Sequence, residues 1–216
     1  FADSNLLEIK IASVLELKKE GLVDEVMLNT NCPVSMDTAN KYGIKYHRRD
    51  DYLASSKCDI REYWKDCANH IETDTLLLAQ VTSPFISYTT YKECIAKYKL
   101  ENCDSLMTVQ KLKEYIWVGD NPLNYSWPEH PKSRDLPDDI CFLTFGISII
   151  SKEYLLEYGN LVGEEPCFHE LSGVEAVDID TEQDFEFAEE LYKKTNKIIK
   201  KEVHSGYTEG PEDLPY

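Results

Sequence analysis

Apolar residues recur at Leu7, Ile11, Val14, Leu15 and Leu17 with lysines and glutamates between them. That spacing predicts an amphipathic helix over 6–20. Asn5 with Glu8 resembles a capping pair, and Gly21 is a suitable stop. The run EVMLNT over 25–30 predicts a short buried strand, 35–42 a helix closed by Gly43, and 44–47 a second strand. Tyr63, Trp64, Cys67 and Ile71 share one side of a helix predicted over 60–71. Thr75-Leu76-Leu77-Leu78-Ala79 is the clearest buried strand, followed by a helix over 91–98 and a strand over 105–109. A long apolar strand over 140–151, a helix over 152–158, a strand over 174–178 and a helix from Thr181 to about Lys201 complete the series.

Helices alternating with short apolar strands predict an α/β fold, three layers deep, with a mostly parallel central sheet covered on both faces. The alternation breaks over 111–139, which is rich in Pro, Asn, Trp and Tyr. Long aperiodic stretches inside a compact domain usually form lids, substrate loops or oligomer contacts. The expected organisation is one domain over 1–203, with 111–139 as an arm and 204–216 as a polar tail.

Charge narrows the partners. Forty acidic against 23 basic residues give a formal net charge of −17, whereas a phosphodiester backbone needs a basic footprint, so a nucleic-acid partner is not expected. The seven cysteines are dispersed without any C-x-x-C, and the five histidines show no ligand spacing, so neither a disulfide framework nor structural zinc is expected. No apolar run reaches spanning length and no signal peptide is evident, which predicts a soluble, cytoplasmic protein.

The most informative phrase is Ala176-Val177-Asp178-Ile179-Asp180-Thr181-Glu182-Gln183-Asp184. In extended chain every second side chain falls on one face, so Asp178 and Asp180 point together. Two adjacent carboxylates suit Mg²⁺, which takes one or two protein oxygens and completes its shell with water and phosphates. The competing reading is a helix cap, with Asp180 or Thr181 at the cap and Asp184 completing the box. Open parallel sheets bind ligands beyond the carboxyl ends of their strands. That rule brings Asn31-Cys32, Arg48-Arg49-Asp50-Asp51, Gln80-Val81-Thr82-Ser83-Pro84 and the aspartate pair to one rim. Gln80, Thr82 and Ser83 offer hydrogen bonds to a polyhydroxylated or amide-bearing ligand. The chain has four arginines (Arg48, Arg49, Arg61 and Arg134), each a candidate for forked recognition of phosphate or carboxylate. Absence of a nucleophile elbow and of HExxH turns the reading from covalent and zinc chemistry toward metal-assisted transfer at a phosphate.

The order Leu77-Leu78-Ala79-Gln80-Val81-Thr82-Ser83-Pro84, Asp104-Ser105-Leu106-Met107-Thr108-Val109, Arg134-Asp135-Leu136-Pro137 and Asp178-Ile179-Asp180-Thr181 resembles the acylneuraminate cytidylyltransferase family, which includes the CMP-sialic acid synthetases. The resemblance runs from Phe1 to about Tyr192 and implies a Rossmann-like nucleotidyltransferase fold. It also implies transfer of CMP from CTP to an acceptor oxygen with Mg²⁺ and release of pyrophosphate, for surface glycan biosynthesis. The acceptor would be an acidic sugar of the nonulosonic acid or KDO type, or a small phosphate or phosphonate. By the same resemblance Asp178 and Asp180 would be catalytic and hold the metal, and Gln80, Thr82, Ser83, Arg134 and Thr144 would lie at the acceptor. Arg49 and Asn31 would lie near the nucleotide, and the arm over 111–139 would exchange between subunits of a homodimer. The family's N-terminal signature, a central strand leading into I-P-A-R-x-G-S-K, is expected ahead of Phe1 in a longer natural protein. Asn29-Thr30-Asn31-Cys32 replaces the Ser-Thr-Asp-Ser common in relatives, and Thr144 stands where they carry an acceptor-contacting asparagine. A catalytically silent homologue that binds nucleotide or serves in assembly is the alternative.

Overall fold

The computed structural model describes residues 1–101 and 103–204, so all of the expected tail but its first residue lies outside the described residues. Helix α1 (Leu6–Lys19) starts where the Asn5 side chain accepts the Glu8 backbone N–H. Strand β1 (Met27–Thr30), helix α2 (Pro33–Tyr42) and strand β2 (Lys45–Arg48) follow, and Gly43 closes α2 in the left-handed region. Then come α3 (Ile60–Asn69), β3 (Thr75–Ala79), α4 (Tyr88–Leu100) and β4 (Ser105–Lys111). The stretch expected to be aperiodic holds a small ribbon, β5 (Trp117–Val118) with β6 (Asn121–Pro122), and a 3-10 turn at Ser133–Asp135. Strand β7 (Cys141–Ser151), helix α5 (Lys152–Tyr158), strand β8 (Pro166–Glu170) and helix α6 (Glu182–His204) complete the described chain.

The main sheet has the order β3-β7-β4-β8. Strands β3, β4 and β8 run one way and β7 runs against them. The reversal follows from the connection: β4 leads into the arm rather than a crossover helix, so the chain re-enters the sheet from the end it left. Leu106, Ile147 and Ile149 join Tyr91, Cys94 and Ile95 of α4 in one buried cluster. On the other face Met107 and Ile150 pack with Ala68 of α3 and Leu155 of α5. The expected three layers are therefore present.

Strands β1 and β2 form a separate parallel pair. They lean on α1 and α2 through Ile11, Ala39 and Ile44. Between β1 and β3 no described strand makes ladder bonds; a cavity of about 530 Å³ lies there, lined by Leu28, Ile44, Leu76, Leu78 and Ile149 among others.

One expected element is corrected. Residues 174–178 are not a strand: a 3-10 turn spans Gly173–Ala176, and extended chain continues through Asp178. The place beside β4 is taken by β8, whose sequence Pro-Cys-Phe-His-Glu lacks an apolar run because it is an edge strand with Phe168 exposed. Without a ladder partner, the Ile179 N–H donates instead to the Thr82 carbonyl at 3.0 Å.

Candidate active site

A cleft of about 1030 Å³ opens at the end of β3, bounded by β7, α5 and the first turn of α3. Gln80, Thr144, Asp178 and Asp180 all line it. Ile179 is buried between the two aspartates, so the extended backbone turns both flanking carboxylates the same way. The expected pairing of Asp178 with Asp180 on one face thus arises from an extended segment docked on the 80–83 turn, not from a strand end. Ser83, itself buried, donates from Oγ to Asp178 Oδ1 at 3.3 Å.

The capping duty falls on neighbours of the pair. Asp184 accepts from the Thr181 backbone N–H at 2.8 Å and its hydroxyl at 2.7 Å, and the Asp184 N–H donates back to Thr181 Oγ1 at 3.2 Å. The hydroxyl bond, followed by the backbone bonds, holds the Asp184 carboxyl below its ordinary range. The cap reading is thus realised by Thr181 and Asp184, and the Asp180 side chain is left to the cleft.

Behind the turn lies a residue that sequence reasoning missed. Lys10 of α1 is 3% exposed, and its Nζ donates to the Ser83 carbonyl at 2.9 Å and to Tyr91 Oη at 2.8 Å. Burial pushes the ammonium down to about 8, and nearby Glu175 pulls in the other direction. Glu175 in turn accepts from the Ser87 N–H at 2.8 Å and from Thr90 Oγ1 at 2.7 Å. A polar network thus ties α1, the 80–83 turn, the start of α4 and the residues just before Asp178. In sequence, Lys10 looked like one more polar position between apolar ones.

The wall opposite Gln80 is shaped by a bulge. The register of β4 on β7 shifts between Met107 and Val109, opposite Thr144-Phe145-Gly146. Phe145 takes φ 54°, a left-handed conformation unusual for a bulky residue, and projects half-exposed into the cleft. Buried Thr108 pins the bulge: its Oγ1 accepts the Ile147 N–H at 3.0 Å and lies 2.8 Å from Thr144 Oγ1. A Cβ at Gly146 would come within 2.5 Å of Ile86 Cδ1, so a larger residue here would have to push that side-chain tip aside. Thr144 therefore lines the cleft with its hydroxyl committed to the sheet.

Other expected site residues lie elsewhere. Thr82 contributes its carbonyl to Ile179 and, like Ser83, does not line the cleft. Arg134 sits exposed in the Ser133–Asp135 turn, 3.8 Å from its neighbour Asp135. Asn31 donates to Asp51 at 3.3 Å, and Arg49 lies over the Tyr63 ring at 5.2 Å, both at the ends of the β1–β2 pair. The expected convergence on one rim holds for the Gln80 turn and the aspartates; within the described chain, the Asn31 and Arg49 clusters are outside that cleft. Conversely, the cleft includes Arg61, one of the four candidate arginines, together with Phe142, Tyr154, Tyr158 and Asn160, which the sequence did not single out. Arg61 is the one Lys or Arg among its described lining residues, and its guanidinium holds the Asp59 carboxyl down at about 2. Its backbone packs closely on Gly159, where a Cβ would fall 2.6 Å from the Arg61 carbonyl oxygen.

Comparison with known proteins follows this geometry. No protein-family model matches the chain. N-acylneuraminate cytidylyltransferase A of Danio rerio is 26% identical over 179 residues, covering 77% of this chain. The chain spans only 40% of that relative's length. Among solved structures, 4-diphosphocytidyl-2C-methyl-D-erythritol synthase from Anaerococcus prevotii superposes with a TM-score of 0.62 at 14% identity, covering 88% of this chain and 86% of its own. The CMP:2-keto-3-deoxy-manno-octonic acid synthetase complexed with CTP gives 0.52 at 11% identity, over 79% and 81%. In sequence the chain resembles the acylneuraminate cytidylyltransferases, and its fold is the Rossmann-like nucleotidyltransferase fold of the cytidylyltransferases.

Proposed function

We propose that the chain carries the catalytic cleft of a Mg²⁺-dependent cytidylyltransferase. The observation that supports it best is the union of Asp178, Asp180 and Gln80 on one cleft, with the aspartate segment bonded to the 80–83 turn. An acceptor oxygen attacks the α-phosphorus of CTP, the new P–O bond forms, and the α–β anhydride breaks with its electron pair leaving on pyrophosphate. The acceptor is an acidic sugar of the nonulosonic acid or KDO type, or a small phosphate or phosphonate.

Two hard carboxylate oxygen donors that face one way fit Mg²⁺. Asp178 and Asp180 would hold the ion, which supplies charge neutralisation for the phosphates. Gln80 orients the acceptor by hydrogen bonds, and Phe145, Tyr154 and Tyr158 wall it from water. The cleft offers a triphosphate little positive charge of its own, Arg61 apart. The slot between β1 and β3 lies between two strand edges that no described strand pairs. The exposed apolar side chains of the arm (Trp117, Val118, Leu123 and Trp127) would form the contact of a homodimer.

The test is pyrophosphate release by full-length protein from CTP and Mg²⁺ with sugar, phosphate and phosphonate acceptors, alongside Asp180→Asn. Turnover that falls at least a hundredfold in the variant supports the proposal, and silence across the panel overturns it. Scarcity of positive charge in the cleft favours one rival reading, a silent nucleotide-binding or assembly homologue. Calorimetry discriminates as well: Mg²⁺-dependent CTP binding that is lost in Asp180→Ala counts against that rival reading.

A further inference from the structure

Outside both cavities, β2 brings His47 against α3, where Asp66 and His70 stand one helical turn apart. His47 Nε2 lies 3.1 Å from Asp66 Oδ2, and His70 Nδ1 lies 3.6 Å from Asp66 Oδ1. One ligand atom from each of the three residues falls within 4.8 Å of the others. Ligands at about 2.0–2.1 Å from a tetrahedral zinc ion lie roughly 3.3–3.4 Å apart, so the three atoms stand within about 1.5 Å of coordinating separations, and a turn of one ring is what brings them to convergence. We propose that His47, Asp66 and His70 form a binding site for a divalent transition-metal cation of the zinc type. Histidine spacing argued against structural zinc, because one histidine comes from a strand and the helix supplies a carboxylate and a histidine four residues apart.

The donor chemistry supports the assignment. Two imidazoles and one carboxylate are borderline ligands that suit zinc and leave a fourth position for water. Among the described ion pairs, Asp66 has only these two rings as partners, so no Lys or Arg competes for its charge. His70 Nδ1 lies 2.8 Å from the Asp66 carbonyl oxygen. Side-chain exposures of 18%, 21% and 40% for His47, Asp66 and His70 give a partly desolvated site with an entry path at His70.

The two rings are stacked, with centroids 3.4 Å apart and planes 20° from parallel. Lone pairs in near-parallel planes do not converge on one point, so binding must swing a ring out of the stack. His70 is the ring that moves, being the more exposed and standing at the C-cap of α3. The bound cation would clamp β2, and with it the β1–β2 pair, to the body through α3.

Zinc chloride titrated calorimetrically into chelator-treated full-length protein tests the site without reference to nucleotide. Zinc-edge X-ray absorption of the loaded sample gives the ligand elements. The expected result is one equivalent bound through nitrogen and oxygen only, with affinity falling at least tenfold in His70→Ala and in Asp66→Asn. His70 is exposed enough that its variant keeps the fold, which circular dichroism verifies. Absence of a stoichiometric site, sulfur in the first shell, or unchanged affinity in His70→Ala overturns the proposal. None of these results bears on CTP turnover, so the two proposals fail separately.

Discussion

Lys10→Met separates what a buried charge costs from what it holds. The wild-type ammonium is pushed from 10.5 to about 8, chiefly by burial and against the pull of Glu175. At about 1.4 kcal/mol per pKa unit, keeping it charged inside costs roughly 3 kcal/mol. Methionine removes that cost but strands the Ser83 carbonyl and the Tyr91 hydroxyl, at about 1–3 kcal/mol each. The terms largely offset, so urea unfolding near neutral pH should differ from wild type by no more than about 3 kcal/mol. The pH dependence is the sharper assay. Because the folded pKa lies below the unfolded one, between about pH 8 and 10.5 the unfolded chain holds more protons at this group, and its contribution to stability rises with pH. Relative to Lys10→Met, wild type should therefore gain roughly 2 kcal/mol between neutral pH and about pH 9.5. Groups elsewhere, such as Cys94, titrate in both proteins and drop out of the difference. Loss of the tether should also speed hydrogen exchange of the Ile179 amide at least tenfold, since its acceptor is on the turn that Lys10 holds. A stability difference that stays flat across this pH range would refute the argument.

Gly159→Ala should destabilise by about 1–3 kcal/mol, read from the urea midpoint, because its φ is +65° and the new Cβ would strike the Arg61 backbone. Thr181→Ala should cost about 1 kcal/mol by opening the reciprocal cap with Asp184, measured as a lower melting temperature with Asp178 and Asp180 intact. Cys32 should be alkylated by iodoacetamide well ahead of Cys94, followed by peptide mass spectrometry. It is exposed, and bonds from the backbone and side chain of Ser35, then the Val34 backbone, lower its thiol pKa. Burial lifts the Cys94 thiol to about 12, so little thiolate is present.

The sequence was most legible where one physical signal dominated. Leu76, Leu77 and Leu78 announced β3, and Gly43 marked the end of α2, where it takes the left-handed conformation. The spacing of Asp178 and Asp180 was enough to turn both carboxylates one way, although the segment is held by a turn and not by a ladder. What remained hidden depends on contacts between distant elements. Nothing in Pro166–Glu170 reveals that an edge strand with a polar face will pair with β4. The bulge that turns Phe145 into the cleft is set by the Thr108 hydroxyl, 36 to 39 residues away in the chain. Arg134 was placed at the acceptor by resemblance, yet the arm carries it elsewhere. Lys10 is polar in a helix that buries one face, and only packing against Tyr91 shows that the face includes it.

The unpaired span between β1 and β3 has a mechanical consequence. A two-stranded ribbon is marginal alone, and this one is joined to the body by side-chain packing instead of a shared backbone ladder. It should therefore open as its own cooperative unit, with amide exchange in Met27–Thr30 proceeding at a lower free energy than in β4 or β7. Any backbone laid along that gap would bridge the two halves by hydrogen bonds and make them melt together.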